Sequence, residues 1–322
     1  MLIASAISTS AVAKKPAKLS FNKHETKTER VVTGERIYLN ENKGDVDLLI
    51  QDKDSLVYYS QIVSNGFTGT AQIISIPEDV QYYSKGKLAG QPNDVIFYFT
   101  GKTILAYNIE NKTTNKLVDI DSLYRYQNEF DVKRDNFVVD FNQDGLSDFI
   151  TQSLTKTHVY IQTAEGKFNH LQLDMAPKVQ SNGNGVSFRA YKHYHVDINN
   201  DKMKDVVFQV NDVLVAFTQN ENANFNQSAI NIPLNAGLNK KSDDEDDVSV
   251  ELTTIEDLNN DGLVDIITKS SVRDGLMSRK NELLIRYGYL SNNTLSFRKA
   301  ADSSASFEGE GEIKFKDING DG

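Results

Sequence analysis

The chain has 322 residues, contains no cysteine and carries a formal net charge of −10 at pH 7. The lack of cysteine excludes disulfide bonds, thiolate metal sites and cysteine nucleophiles. The acidic balance argues against nucleic-acid binding, because phosphate contacts require a basic surface. No run reaches the ~18 apolar residues of a membrane-spanning helix, so we expect no transmembrane span.

The N-terminus has features of a secretory signal. Residues 1–13 are mostly small or apolar and end in Ala-Val-Ala, which fits the small-residue rule for signal-peptide cleavage. The positively charged segment that normally begins such a signal is missing. We expect residues 1–13 to be a signal peptide or its remnant and residues 14–34 to be an N-terminal segment. The expected location is secreted, periplasmic or at the cell surface.

Two β-rich segments follow, near residues 35–78 and 79–121. Each contains an aspartate directly before an apolar run that favours a β-strand, at Asp47 and Asp94. We predict that these runs are the second strands of two repeats. Aligning Asp47 with Asp148, which closes an acidic loop further along the chain, puts Leu39, Glu41 and Lys43 where the oxygen ligands should be, so no metal is expected there.

Four acidic loops occupy the rest of the chain, and three of them are complete. Their shared pattern has Asp at position 1, Asn at 3, Asp at 5 and, in the complete loops, Asp at 9. The complete loops begin at Asp140, Asp197 and Asp257, and the fourth begins at Asp317 and stops at Gly322. The starting aspartates are 57, 60 and 60 positions apart, a regularity that chance does not explain.

The spacing suits a calcium ion. A hard cation takes six to eight oxygens, and positions 1, 3, 5 and 9 can supply side-chain oxygens while position 7 supplies a backbone carbonyl. Glycine at position 6, as in Gly145 and Gly262, favours the sharp turn that brings these oxygens together. We therefore predict two to three Ca²⁺ sites and a further incomplete one at the C-terminus. The predicted ligands are Asp140, Asn142, Asp144, Leu146 and Asp148; Asp197, Asn199, Asp201, Met203 and Asp205; Asp257, Asn259, Asp261, Leu263 and Asp265; and Asp317, Asn319 and Asp321.

The second complete loop differs from the other two. Lys202 replaces glycine at position 6, where a positive φ costs a non-glycine residue about 1 kcal/mol. Lys204 adds a second positive charge inside the loop. We predict that this loop binds calcium most weakly.

The residues after each loop exclude an EF-hand, which needs flanking helices and a glutamate at position 12. Position 12 is Thr151, Phe208 or Thr268, and each lies in a short β-rich run. A repeat of about 60 residues with several short strands predicts a propeller blade. The predicted strands lie near residues 136–140, 148–153, 157–163 and 167–173 in the third repeat, and near 248–257, 265–271, 282–287 and 294–298 in the fifth.

The predicted fold class is therefore all-β. We expect a β-propeller of four-stranded blades with a calcium loop between the first and second strands, and a chain that ends within a sixth blade. The predicted blades lie near residues 35–78, 79–121, 132–175, 186–233 and 247–300, with a partial blade at 311–322.

These loops resemble those of FG-GAP/VCBS-type repeat proteins, bacterial relatives of the integrin alpha-subunit head. The resemblance covers roughly residues 44–322 and is specific in the loops from about residue 135 onward. The Phe-Gly and Gly-Ala-Pro signatures of the family are absent. The resemblance implies a calcium-stabilised propeller, usually exported, that serves adhesion or accompanies an enzyme or toxin domain.

The chain contains no Gly-x-Ser-x-Gly elbow, phosphate-binding glycine loop or His-Glu-x-x-His motif, so we do not expect an enzyme. His193 and His195 alternate along a predicted strand and are the best alternative metal ligands, although ordinary strand residues fit the same pattern. The favoured function is a recognition or adhesion module with a protein or glycan ligand on the propeller face. The alternatives are a domain of a larger polysaccharide-processing enzyme or toxin-delivery protein, and an intracellular scaffold.

Overall fold

A computed structural model describes residues 33–37, 46–52, 55–63, 66–67, 72–122, 133–134, 137–182, 185–221, 223–238, 248–273 and 279–307. All regular elements in these ranges are β-strands, in agreement with the all-β prediction. None of the described residues belongs to a helix long and apolar enough to cross a membrane. The predicted signal peptide and the partial sixth blade lie outside the described residues.

The first two sheets have five strands each, whereas the sequence predicted four, because the short strands Gly66–Phe67 and Lys133–Arg134 add to them. The first contains β1 Thr33–Ile37, β2 Val46–Asp52, β3 Ser55–Val63, β4 Gly66–Phe67 and β5 Gln72–Ser75. The second contains β6 Tyr82–Lys87, β7 Asp94–Phe99, β8 Thr103–Asn108, β9 Thr113–Asp119 and β10 Lys133–Arg134. The orders are β1-β2-β3-β4, with β5 also pairing β3, and β10-β6-β7-β8-β9. All of these pairs are antiparallel except that of β10 with β6.

The third and fourth sheets have four antiparallel strands in chain order. The third contains β11 Val138–Val139, β12 Asp148–Gln152, β13 Thr157–Gln162 and β14 Phe168–Leu173. A hairpin of β15 Lys178–Asn182 and β16 Gly185–Arg189 follows. The fourth contains β17 His193–Val196, β18 Asp205–Val210, β19 Val213–Phe217 and β20 Ile230–Pro233.

The fifth sheet also has four antiparallel strands, in the order β21-β22-β23-β26. These are β21 Val248–Glu256, β22 Asp265–Arg273, β23 Arg279–Arg286 and β26 Ser303–Phe307. A separate hairpin of β24 Gly288–Ser291 and β25 Thr294–Phe297 connects β23 to β26.

Each complete acidic loop joins the first and second strands of its sheet, as the sequence predicted. The aspartate at position 9 opens the second strand in all three cases. It pairs with the last residue of the first strand, as Val139 with Asp148, Val196 with Asp205 and Glu256 with Asp265. The three loops therefore occupy the same place in three sheets.

The prediction of the last strand of the fifth sheet was wrong. The run near residues 294–298 was expected to be the outer strand of the fifth sheet, but it forms β25, and β26 pairs with β23 instead. Asn292 and Asn293 have φ values of 51° and 60°, which suit the two-residue turn of a tight hairpin. This local turn pairs β25 with β24, and the chain reaches the sheet again only at Ser303.

The five sheets pack against one another in chain order. One apolar cluster joins the first and second sheets, another the second and third, another the third and fourth, and another the fourth and fifth. The middle sheets are thus covered on both faces, and every residue of β7, β12 and β13 is buried. Burial on both faces explains why these strands contain apolar runs rather than strict alternation.

The cluster between the second and third sheets generates a stability prediction. Phe149 is fully buried and its ring lies 5.0 Å from that of Phe97 and 5.2 Å from that of Phe168. Replacing Phe149 by alanine should lower the free energy of unfolding by about 3–5 kcal/mol, because it leaves a cavity. Leu154→Ala is the matched control, since Leu154 is 53% exposed. Urea denaturation should show a large loss for the first variant only, and equal effects would contradict this packing.

Candidate metal-binding loops

The three complete loops share one network of hydrogen bonds from backbone to side chain. In the first loop, Asp140 accepts hydrogen bonds from the amides of Asp144 at 3.2 Å and Gly145 at 3.0 Å. The carboxylate of Asp144 accepts a hydrogen bond from the backbone amide of Leu146 at 2.8 Å. The corresponding distances are 3.1, 2.7 and 2.9 Å in the second loop and 3.2, 2.9 and 2.8 Å in the third. Aspartates that accept such local bonds stabilise the turn themselves.

Two positions in each loop have left-handed backbone. Position 6 has φ values of 83° at Gly145, 70° at Lys202 and 85° at Gly262, so the second loop keeps the turn without glycine. Position 4 is also left-handed in all three loops, with φ values of 57°, 60° and 58°. The second feature was missed from the sequence, although asparagine at position 4 of two loops was a signal for it.

The aspartate at position 9 is fully buried in each loop. Asp148, Asp205 and Asp265 are all 0% exposed. In the first loop, one carboxylate oxygen accepts the amide of Phe141 at 2.8 Å and the other accepts that of Gln162, beyond the loop, at 2.7 Å. The other two loops repeat both bonds at 2.8–2.9 Å. This side chain therefore connects the loop to the end of the third strand of its sheet or to the residues just after it.

Burial makes the ionised form of this aspartate unfavourable. It raises the pKa of Asp148 and Asp205 to about 7 and also raises the pKa of Asp265. The two amide donors lower the pKa in each case, and the carboxylates at positions 1 and 5 raise it. Each loop thus holds three carboxylates close enough to repel one another.

The chemistry of this donor set fits a hard cation. The loops offer carboxylate, amide and backbone oxygens, which are the ligands that Ca²⁺ takes, and a cation would offset the repulsion between the carboxylates. In each loop the amide nitrogen at position 3 donates to the carboxylate at position 5, at 2.9 Å. Within the described ranges, no three His, Asp or Glu side chains form a group arranged to hold a metal ion. The predicted ligands Asp317, Asn319 and Asp321 lie outside those ranges.

Neighbouring loops also contact one another. The side-chain amide of Gln143, at position 4 of the first loop, donates to the carbonyl of Lys202, at position 6 of the second, at 2.6 Å. Asn200, at position 4 of the second loop, lies against Gly262, at position 6 of the third, where an added Cβ would come within 3.0 Å of its amide nitrogen. The three loops therefore form a continuous row along one edge of three consecutive sheets.

The second sheet also has a buried aspartate at the start of a strand, but its negative charge is compensated in a different way. Asp94 opens β7 as the position 9 aspartates open their strands, and it is 8% exposed. Counted back from Asp94, positions 1, 3 and 5 are glycine, leucine and glycine, which offer no side-chain oxygen. The ammonium groups of Lys85 and Lys87 lie 3.6 and 3.4 Å from the carboxylate oxygens of Asp94. Here two lysines supply the positive charge.

This difference predicts a calcium-independent effect in the second sheet. Replacing Lys85 and Lys87 by methionine keeps their apolar stems but leaves the Asp94 carboxylate without its cations. The double variant should lose about 1–2 kcal/mol of stability, since the pairs are partly exposed. Urea denaturation should give the same loss with calcium and with chelator, and a further Asp94→Asn change should recover part of it. A loss seen only with calcium would contradict this reading.

His193 and His195 lie side by side on β17, as the sequence predicted, with ring nitrogens 3.0 Å apart. The ring of His195 packs edge-on against Phe141 at 5.2 Å, and that of His193 against Phe208 at 6.2 Å. Burial lowers the pKa of His193 to about 4 and holds that of His195 well below its usual value. These contacts describe a neutral pair packed among aromatic rings.

The histidine pair gives a pH prediction. An ordinary histidine has a pKa near ~6.5, so His193 should stay neutral in the folded protein until the pH approaches 4. Because the unfolded chain binds this proton more readily, the stability contributed by His193 should fall as the pH drops below about 6.5. NMR titration of the imidazole C–H signals, assigned with His193→Gln, checks the value. Titration of His193 near 6.5 would contradict its burial.

Comparisons with known proteins give structural likeness only. No family model matches the chain, and no curated protein matches it. It is similar to a Photorhabdus luminescens Tc holotoxin pore, with 13% identity and a TM-score of 0.41, over 82% of this chain and 12% of that chain. An Agrocybe aegerita lectin that recognises non-reducing terminal N-acetylglucosamine has 16% identity and a TM-score of 0.48, over 86% and 66%. A Lactobacillus plantarum protein has 9% identity and a TM-score of 0.40, over 84% and 87%.

Proposed function

We propose that this chain is a calcium-binding β-propeller that acts as an exported recognition module. The observation that carries the proposal is the row of three loops with the same hydrogen-bond network, at the same edge of three consecutive sheets. A common loop geometry at equivalent positions indicates a shared role, and the acidic oxygen donors indicate a cation.

The arrangement of the sheets supports a propeller. Each antiparallel sheet packs against the next one in the chain, and the sheets in between bury both faces. Radial stacking of blades produces this pattern, whereas a two-layer sandwich would leave one face of each sheet uncovered. The blades correspond to the five described sheets, with the loops between the first and second strands.

Calcium would have a structural role in this propeller. In each loop the ion would be held by positions 1, 3, 5, 7 and 9. Its positive charge would offset the three carboxylates of the loop. The chain itself supplies the connection to the core, because the buried position 9 aspartate links the loop to the end of the third strand or to the residues just after it. Loss of the ion would leave the carboxylates repelling one another next to a packed sheet.

If the ion has a structural role, the exposed surface of the propeller is available for recognition. The signal-like residues 1–13 support export, and extracellular calcium is abundant enough to fill sites with Kd values of about 10⁻⁴–10⁻³ M. We assign to the exposed surface of the propeller the binding of a partner rather than catalysis.

Calcium titration tests the proposal. Calorimetry should detect two to three sites, and chelator should lower the melting temperature, because a ligand at 100 times its Kd stabilises by about 2.7 kcal/mol. Asp144→Ala and Asp261→Ala should each remove one site. Asp119→Ala is the control, because this exposed aspartate lies in β9, outside the acidic loops, where it pairs with Lys116 at 2.7 Å. Unchanged stoichiometry in both loop variants would overturn the metal assignment.

A further inference from the structure

A cavity of about 370 Å³ lies between the fourth sheet and the hairpin of β24 and β25. Its volume falls in the range of ligand sites, roughly 300–1,000 Å³. One wall comes from the second acidic loop and from β20, and the other comes from the hairpin and from Leu263 of the third loop. The hairpin is an addition to the fifth sheet, since the third sheet joins its last two strands by a short turn.

The hairpin is held firmly, so the cavity is formed before any ligand arrives. Leu295 and Phe297 are 6% and 1% exposed and belong to the apolar cluster shared with the fourth sheet. The side-chain amide of Asn235 donates to the carbonyl of Phe297 at 2.9 Å. At the base of the hairpin, the amide of Gly288 donates to the buried carboxylate of Asp265 at 2.9 Å. A preformed cleft binds without the cost of ordering its walls.

The floor of the cavity is aliphatic and extends to exposed residues at its rim. Ile198 and Ile232 are buried at the floor, at 6% and 2% exposure. Ile230 and Leu290 are 41% and 57% exposed, and they are among the few large hydrophobic side chains that the described residues expose. Exposed apolar side chains that gather around one cleft indicate a contact surface more strongly than scattered ones.

The polar side chains of the cavity are all neutral. Asn199 and Asn200 lie on the side of the second loop, and Asn293 and Thr294 lie at the turn of the hairpin. No charged group and no aromatic ring belongs to the lining. A charged ligand would therefore lose water without gaining a partner. Each asparagine amide can donate and accept hydrogen bonds, as a peptide bond does.

We propose that this cavity binds a neutral peptide segment by a branched aliphatic side chain. The side chain enters among Ile198, Ile232 and Leu295, and the peptide N–H and C=O groups meet the side-chain amides of Asn200 and Asn293 at the rim. This combination of an aliphatic floor and neutral groups that both donate and accept matches a peptide better than an ion or an aromatic ligand. This inference rests on the proposed recognition function and names the class of partner that the module would bind.

The test is a methyl NMR titration of the whole chain labelled at isoleucine and leucine methyl groups. The probe is acetyl-Ala-Leu-Ala-amide, and acetyl-Ala-Gly-Ala-amide is the matched probe without the side chain. Saturable shifts should appear at the methyl groups of Ile230 and Leu290, and the glycine probe should bind at least tenfold more weakly. Absence of saturable shifts, or equal binding of both probes, would overturn the proposal.

Two variants locate the binding. Leu290→Asp should reduce affinity for the leucine probe at least tenfold, because it places a charge at the apolar rim. Leu154→Asp is the matched control, since Leu154 is similarly exposed but lies at the turn after β12. Equal loss in both variants would contradict the site. N-acetylglucosamine is titrated in parallel, and stronger shifts at the same methyl groups would assign the cavity to a sugar instead.

Repeating the titration with chelator separates this inference from the metal assignment. If calorimetry finds no calcium sites but the leucine probe still shifts Ile230 and Leu290, the metal role fails and the peptide site stands. If calcium binds but the probe leaves these methyl groups unchanged, the peptide site fails and the metal role stands.

Discussion

The buried aspartate that opens the second strand is the constraint on which the loops and their sheets depend. One of its oxygens accepts a hydrogen bond from a backbone amide of the loop. The other accepts one from a backbone amide at the end of the third strand or just after it. A carboxylate is suited to this task because it accepts two hydrogen bonds in different directions. The cost is a negative charge placed in a desolvated position.

The buried negative charge can be compensated in two ways. In the second sheet, two lysines approach the equivalent Asp94 and the loop carries no other acidic ligand. In the next three sheets, further carboxylates surround the buried one, which adds repulsion unless a cation is bound. The same position in the fold can thus be compensated from within the protein or from solution. This contrast makes the metal proposal physically specific, because it predicts which sheets respond to chelator.

The loops also connect the sheets to one another. The bond from Gln143 to Lys202 and the contact of Asn200 with Gly262 place position 4 of one loop on position 6 of the next. Position 6 carries the left-handed turn, so a change in one loop reaches the backbone of its neighbour. The third loop in turn supports the hairpin beside the cavity, through Asp265 and Gly288. The acidic loops and the proposed peptide site therefore share one edge of the molecule.

The sequence by itself determined the all-β class, the position of the loops between first and second strands, and the strands of the third sheet. These features depend on residues within a few positions of one another, such as the turn at Gly145 and the apolar run after Asp148. Only the tertiary structure decided that residues 294–297 leave the fifth sheet to form a hairpin, and that a cavity lies beneath them. The turn at Asn292 and Asn293 is a local feature, but the docking of the hairpin against the fourth sheet depends on residues about 60 positions apart, such as Asn235 and Phe297, which no local pattern encodes.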